Sequence, residues 1–323
     1  MNDKLTALLC GLGRIGSKYS EDQKTAKYFQ YATHAQVLND HPGIRWVGAI
    51  DPCSYAREEV ERKWGVPCFA DAEDAAFLNP DFIVLATHPG DNRLEILTKF
   101  KNVRYILVEK PLGRTLQEAR SFLDYCNVRD IHVQVNYWRR ADLTFRFLAS
   151  GELMKQIGNF QAGQCLYGNG LMNNGVHLLD ATRMLLGEPK KIVTLTLSKI
   201  NTDPAFILQF SAGVVSFLPL DFSKYRENSL DFWGESGRLA IFQEGLKVFS
   251  WKSTEHRALE DANEIDCLNY TERNGSAGTA LYEMYTNICA HNDVGTPLVC
   301  SGMNALKTEQ LAHNIIEHAT FQE

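Results

Sequence analysis

Leu5-Thr6-Ala7-Leu8-Leu9-Cys10-Gly11-Leu12-Gly13-Arg14-Ile15-Gly16 decides the fold. A mostly apolar, β-type run leads directly into a G-x-G-x-x-G turn. Strands that are apolar at consecutive positions are buried on both faces, as in a parallel sheet. In such a turn Gly11 permits the tight bend. Gly13 lets a pyrophosphate approach the backbone, and Gly16 allows helix and strand to pack closely. The phosphate then rests on N–H groups at a helix start. The stretch predicts a first βα unit that binds a dinucleotide, with Gly11, Leu12, Gly13, Arg14, Ile15 and Gly16 as cofactor contacts.

Four more runs of this kind follow: Arg45–Ile50, Phe82–Thr87, Tyr105–Val108 and Ile131–Tyr137. Helical stretches such as Tyr55–Trp64 and Thr115–Cys126 lie between them, and strand–helix alternation implies a parallel sheet with right-handed crossovers. The second run ends in Asp51. A carboxylate there accepts both ribose hydroxyls of NAD and repels the 2′-phosphate of NADP, so NAD is expected before NADP. The bland alternative is a turn-forming Asp before Pro52. Gly16 and Asp51 are 35 residues apart, against a usual gap of about 20. We assign the excess to an insertion at Ser17–Thr33, which carries the aromatic cluster Tyr28-Phe29-x-Tyr31.

The later chain changes character. A short helix (Leu143–Leu148) and a strand (Gly158–Tyr167) precede a helix at Val176–Leu186, stopped by Gly187 and Pro189. Runs at Lys191–Lys199, Ala205–Phe210, Val214–Leu220, Ser229–Trp233, Arg238–Gln243 and Leu246–Trp251 are separated by short turns, the pattern of an antiparallel sheet. Helices are expected at Ala280–Asn292 and Met303–Ala319. The fold class is therefore α/β: an N-terminal Rossmann domain over 1–137 with a parallel sheet. A C-terminal α+β domain follows over 138–323, with a largely antiparallel open sheet. The boundary near Tyr137–Asp142 has no flexible linker, which predicts a tight junction with a cleft.

The 323 residues suit two domains, and 45% hydrophobic with 22% charged residues is a globular composition. A net charge of −6 without clustered Lys and Arg points away from nucleic acid and anionic membrane. It leaves a small molecule as the expected partner. The N-terminus lacks a signal-peptide pattern, and no window holds eighteen uninterrupted apolar residues. Eight scattered cysteines with no C-x-x-C read as reduced thiols of a cytoplasmic protein, with no metal site expected.

At the end of the fourth run stands Val108-Glu109-Lys110-Pro111. A lysine at the carboxyl edge of a parallel sheet faces the ligand crevice, where it can bind a substrate hydroxyl. The glycine motif, Asp51, Ala86-Thr87-x-Pro89 and Glu109-Lys110-Pro111, followed by an antiparallel-sheet domain, resemble the glucose–fructose oxidoreductase/inositol dehydrogenase (Gfo/Idh/MocA) family. The resemblance in element order covers nearly the whole chain, and Glu-Lys-Pro is its most specific part. It implies NAD contacts at Ala86, Thr87, Glu109 and Lys110; His88, beside Thr87, is a further cofactor candidate. It further implies hydride transfer between nicotinamide and an alcohol or ketone of a sugar or polyol. A homodimer or homotetramer paired through the C-terminal sheet is also implied.

The family's second signature, Asp-x-x-x-His-x-x-Asp, matches Asn173-Asn174-Gly175-Val176-His177-Leu178-Leu179-Asp180. The resemblance makes His177 the general acid/base, and Asp180, three residues on, its orienting partner. Asn173 departs from the pattern: it can hydrogen-bond but cannot relay a proton. Lys110, Tyr137, Arg139, Asn173 and His177 are the expected substrate contacts, with Lys110, His177, Asn173 and Asp180 as the catalytic set. Arg139 and its neighbour Arg140 serve a carboxylate or phosphate on one reading and a structural ion pair on another. Asn92, Arg93, Tyr167 and Asn169 are weaker candidates. The compact Gly168–Gly175 stretch, with the insertion, resembles family members acting on nucleotide-activated sugars. Two rivals stay open: a non-catalytic NAD-binding regulator, for which Asn173 speaks, and an imine- or biliverdin-type reductase, against which Lys110 and His177 speak.

Overall fold

The computed structural model describes residues 4–19, 22–89, 93–197 and 203–320. In chain order its elements begin with β1 (Leu5–Cys10), α1 (Gln23–Tyr28), α2 (His34–Asp40), β2 (Ile44–Ile50), α3 (Ser54–Trp64), β3 (Cys68–Phe69) and β4 (Phe82–Leu85). Then come α4 (Arg93–Thr98), β5 (Tyr105–Val108), α5 (Leu116–Val128), β6 (His132–Val135), α6 (Leu143–Phe147), α7 (Leu153–Ile157) and β7 (Phe160–Gly168). After them follow α8 (Val176–Leu186), β8 (Lys191–Leu197), β9 (Pro204–Gln209), β10 (Val214–Leu220), β11 (Ser229–Gly234) and β12 (Gly237–Phe242). The chain closes with β13 (Lys247–Glu255), β14 (Asn263–Asn274), α9 (Ala280–Val294) and α10 (Gly302–Thr320). One compact unit takes Met1–Ala141 and Gly278–Lys307; the other takes Asp142–Ala277 and Thr308–Glu323.

The first unit holds a six-stranded parallel sheet in the order β3-β2-β1-β4-β5-β6. This is the doubly wound arrangement whose strand order reverses between β1 and β4, and ligands bind outside the carboxyl ends at such a switch point. The apolar runs explain the burial: β4 and β5 are buried at every residue and β1 at all but Thr6. Leu5, Ala7 and Leu9 of β1 share a core with Val37 and Leu38 of α2 and with Leu281, Met284, Tyr285 and Ile288 of α9. That last set has helical one-face spacing. Here the sequence reading needs a correction, because it placed everything after residue 137 in the second domain. Residues 278–307 instead belong to the first unit, since the apolar stripe of α9 finds its complement beside β1 and β4.

After the glycine turn the described residues form separate short helical pieces and no single long helix. Ser17 and Lys18 donate backbone N–H groups to Gly13 O, forming a short wide turn. Regular helix resumes at α1 and at α2, where Thr33 and Gln36 form a reciprocal capping box. Tyr31 of the aromatic cluster packs on Tyr282, ring centroids 4.8 Å apart.

The second unit holds an eight-stranded sheet, β14-β13-β12-β11-β7-β10-β9-β8. Its neighbours are antiparallel except β7 with β10. The run expected through Lys199 is a strand to Leu197; residues 198–199 lie outside the described residues. All eight cysteines are free thiols, with Cys53 and Cys267 exposed. Among the described residues no helix is long and apolar enough to cross a membrane. Nor does any group of three or more His, Cys, Asp or Glu side chains among them fit a metal ion.

Candidate functional site

In the first unit the carboxyl edge of the sheet opens into a cavity of about 800 Å³, lined by Gly11, Gly13, Asp51, Ala86, Thr87 and His88 among others. The three glycines behave differently. Gly11 has φ +97°, and a Cβ there would lie 2.7 Å from Ala86 O. A Cβ on Gly16 would meet Gly11 O at 2.1 Å, so this position serves close packing. A Cβ on Gly13 would meet nothing within 4 Å. The backbone is thus bare where a diphosphate has to approach. Leu12 is fully buried and contributes its backbone, while Arg14 is exposed and Ile15 is half-buried.

Asp51 stands where the sequence placed it, in the cavity wall at the end of β2. Its Oδ2 accepts from Leu12 N–H at 2.7 Å and its Oδ1 from Cys53 N–H at 2.9 Å. Two of roughly four lone-pair sites are thus engaged, which leaves capacity for a pair of ribose hydroxyls. Asp71, Glu73 and Glu95 line the same cavity, with Lys99 as the cation, paired to Glu73 at 2.5 Å. The bare Gly13 backbone and the remaining acceptor capacity of Asp51 suit the chemistry of a dinucleotide.

The glycine contrast makes a prediction. Gly13→Ala keeps the melting temperature within about 2 °C and weakens NADH binding about tenfold or more. Gly16→Ala, which forces atoms apart in a packed turn, costs about 1–3 kcal/mol of stability. Thermal melts beside NADH fluorescence titrations separate the two.

Past β5 the chain turns through a cis Lys110–Pro111 bond. Arg93, buried on α4, donates to Thr87 O and Pro111 O at 2.6 Å each and to Leu112 O at 3.0 Å. The sequence reading set Arg93 near the pocket; the structure makes it a clamp between the turn after β4 and the turn after β5. Asn92 lies outside the described residues. Glu109, expected at the cofactor, turns inward instead: its Oε1 meets His34 Nε2 at 3.0 Å and accepts from Asn136 Nδ2 at 2.5 Å. Burial alone would raise its pKa. The hydrogen bonds of His34 and Asn136, with the nearby Lys110 charge, reverse that and hold it below the usual carboxylate value. Neither Glu109 nor Lys110 is in the wall of the 800 Å³ cavity. Tyr137 is buried, and Arg139 is buried with its guanidinium 4.1 Å from the Trp138 ring centroid. That stacked, enclosed position favours the structural reading of Arg139.

The second unit carries the other half of the expected set. Gly168–Gly175 forms a compact turn held by Asp203, whose carboxylate accepts Gly170 and Leu171 N–H at 3.0 Å each. Asn173 is exposed, and His177 is half-buried in the first turn of α8. Asp180 is fully buried, and its Oδ1 accepts from Thr308 Oγ1 at 2.6 Å and from Arg183 Nη1 at 3.4 Å. The role of orienting His177 thus competes with a buried ion pair. Tyr167, weighed as a sugar contact, is fully buried and donates its hydroxyl to Pro204 O. Asn174 Nδ2, passed over in the sequence, is a buried donor with no partner among the described residues. Nothing in the sequence pattern distinguishes it from its neighbour.

A strand–glycine turn–cavity arrangement of this kind defines a dinucleotide-binding Rossmann unit, and comparison with known proteins agrees. Residues 5–137 match the Gfo/Idh/MocA family model, described as an oxidoreductase family with an NAD-binding Rossmann fold. Over that region, less than half of its length, the chain is similar to this oxidoreductase family. It is 24% identical over 163 residues to scyllo-inositol 2-dehydrogenase (NAD(+)) of Bacillus subtilis, an alignment covering 49% of this chain and 44% of that protein. The match therefore spans less than half of that relative's length.

Two solved structures share the fold over essentially all of the chain. The WlbA dehydrogenase of Chromobacterium violaceum, in complex with NADH and UDP-GlcNAcA, has a TM-score of 0.73 at 17% identity, covering 100% of this chain and 96% of that one. A super-repressor mutant of Gal80p from Saccharomyces cerevisiae has a TM-score of 0.77 at 13% identity, covering 99% and 97%.

Proposed function

We propose that the protein is a cytoplasmic NAD-dependent dehydrogenase acting on a secondary alcohol or ketone of a sugar, polyol or nucleotide sugar. The observation that carries this reading is Lys110. It stands in a clamped turn at the carboxyl edge of the same parallel sheet that presents the bare Gly13 backbone. Gly11, Gly13, Asp51, Thr87 and His88 would hold the dinucleotide, which when bound would supply hydride-transfer chemistry. Lys110 donates a hydrogen bond to the carbinol oxygen and favours its developing negative charge. His177 accepts the hydroxyl proton through its imidazole. Asn173 and the Asn174 amide supply hydrogen bonds to sugar hydroxyls without relaying a proton. An inositol fits the relative noted above, and a nucleotide sugar fits the ligand of WlbA. Four carboxylates against Lys99 in the cavity wall favour NAD over NADP. The exposed Leu268 and Tyr270 on β14, beside Phe249 and Trp251 on β13, support a homodimer or homotetramer paired through the open sheet.

The test is NADH and NADPH titration, then NAD⁺ reduction with inositols, free sugars and nucleotide sugars. NADH should bind about tenfold or more tightly than NADPH, and Asp51→Ala should close most of that gap. Tighter NADPH binding sinks the cofactor assignment. Tight NADH binding with no turnover across the panel selects the second reading, an NAD-binding regulator. Asn173, the inward engagement of Asp180 and the Gal80p-like fold favour that reading.

A further inference from the structure

We propose that His34, backed by Tyr285, is a positioning residue that fixes the Glu109 carboxylate beside Lys110, holding the reacting lysine through a hydrogen-bond chain from the interior. The inference rests on the reading above that Lys110 holds the substrate oxygen.

The chain begins on α9. Tyr285, fully buried, meets His34 Nδ1 at 2.7 Å through its hydroxyl. Among the described residues that nitrogen is the one acceptor for the Tyr285 proton. Nδ1 therefore carries the lone pair and Nε2 the hydrogen. Nε2–H then donates to Glu109 Oε1 at 3.0 Å, and Asn136 Nδ2 donates to the same oxygen. Every donor in the chain points toward the carboxylate. The titratable groups around Glu109 are His34 from α2, Lys110 next in sequence and Tyr285 from α9 behind the imidazole.

A packing role alone does not explain this arrangement. His34 is at 0% exposure and Tyr285 likewise, and burying such polar groups costs desolvation that Leu and Phe in the same space would not incur. Full satisfaction of each group offsets that cost and fixes one orientation. The place where the chain ends is the residue before Lys110. On the far side of Lys110, Arg93 holds the carbonyls of Pro111 and Leu112. Lys110 thus sits between two fixed points, the preceding residue carrying a pinned carboxylate and the following turn held by Arg93. The capping box at Thr33 sets His34 in the first turn of α2, so the inserted segment leads directly into this chain.

The test compares Tyr285→Phe, His34→Leu and His34→Gln in the full-length protein. The primary readout needs no substrate: the acetylation rate of Lys110 by acetic anhydride, measured by mass spectrometry against exposed lysines. Tyr285→Phe and His34→Leu should raise it about threefold or more, because a loosened carboxylate favours the ammonium less. His34→Gln, whose amide still donates to Glu109, should return it to within about twofold of the parent.

With a substrate from the panel, the first two variants should lose about tenfold in kcat at unchanged KM, with NADH affinity within about twofold. Unchanged Lys110 reactivity in Tyr285→Phe overturns the proposal, as does a fall of NADH affinity in step with kcat. If His34→Leu does not fold, Tyr285→Phe decides. If no substrate is found, the dehydrogenase reading falls while the acetylation result still judges the chain.

Discussion

Lys110→Met and His177→Ala should each slow alcohol oxidation by about 10²- to 10⁴-fold, the range for a positioned proton-transfer group. Methionine keeps the unbranched stem of lysine and removes its charge, so the packing of the turn after β5 is retained. The Arg93 clamp on Pro111 and Leu112 does not depend on the lysine head group. NADH binding should stay within about threefold for both variants, since neither residue lines the cavity that holds the glycine turn. The loss then falls on kcat and not on cofactor affinity. Because the two groups are assigned to one hydroxyl, the double variant should be little worse than the poorer single one. Steady-state reduction of NAD⁺ with the best panel substrate, beside NADH titration, measures each quantity. Two fully active variants would remove both residues from the mechanism, and strictly additive losses would assign them to separate steps.

The parts of this site that were legible in sequence are those encoded within one turn of chain. The glycine motif, Asp51 and Glu109-Lys110-Pro111 each sit at the end of an apolar run, and runs buried on both faces are hard to miss. β1 and β5 begin and end where the pattern places them. β3 escaped because two residues carry no period. β14 escaped because its last eight residues are all exposed, so no alternation marks it. What joins distant segments was invisible. His34 reaches Glu109 across 75 positions and Tyr285 across 251. The i, i+3, i+4, i+7 stripe of α9 announces a buried face without saying which sheet covers it. Asp180 shows the same limit: its spacing from His177 suggested an orienting role, while Arg183 on its own helix and Thr308, 128 residues away, compete for its carboxylate.

That competition yields the second large effect. Asp180→Ala should lower the unfolding free energy by about 3–5 kcal/mol, the usual result of removing one partner from a buried ion pair. The side chains of Asp180 and Arg183 are 0% and 1% exposed. The Thr308 hydroxyl bridges them, donating to Asp180 and accepting from Arg183. Arg183 also grips Glu188 through Nε and Nη2, at 2.8 and 2.6 Å. Glu188 is 60% exposed and cannot replace a desolvated partner. Its retention sets the expected loss toward the lower end of the range. For a unit of this size, about 3 kcal/mol corresponds to a drop in melting temperature of roughly 6–12 °C. Thr308→Val, which keeps the shape and removes the bridge, should cost about 1–3 kcal/mol.

Measuring turnover alongside melting separates the two roles of Asp180. A carboxylate that anchors α8 lowers stability first, and activity at low temperature survives in the fraction that stays folded. A carboxylate that serves His177 lowers kcat at an unchanged melting temperature. An Asp180→Ala protein that melts with the parent yet has lost its turnover would return Asp180 to the catalytic set.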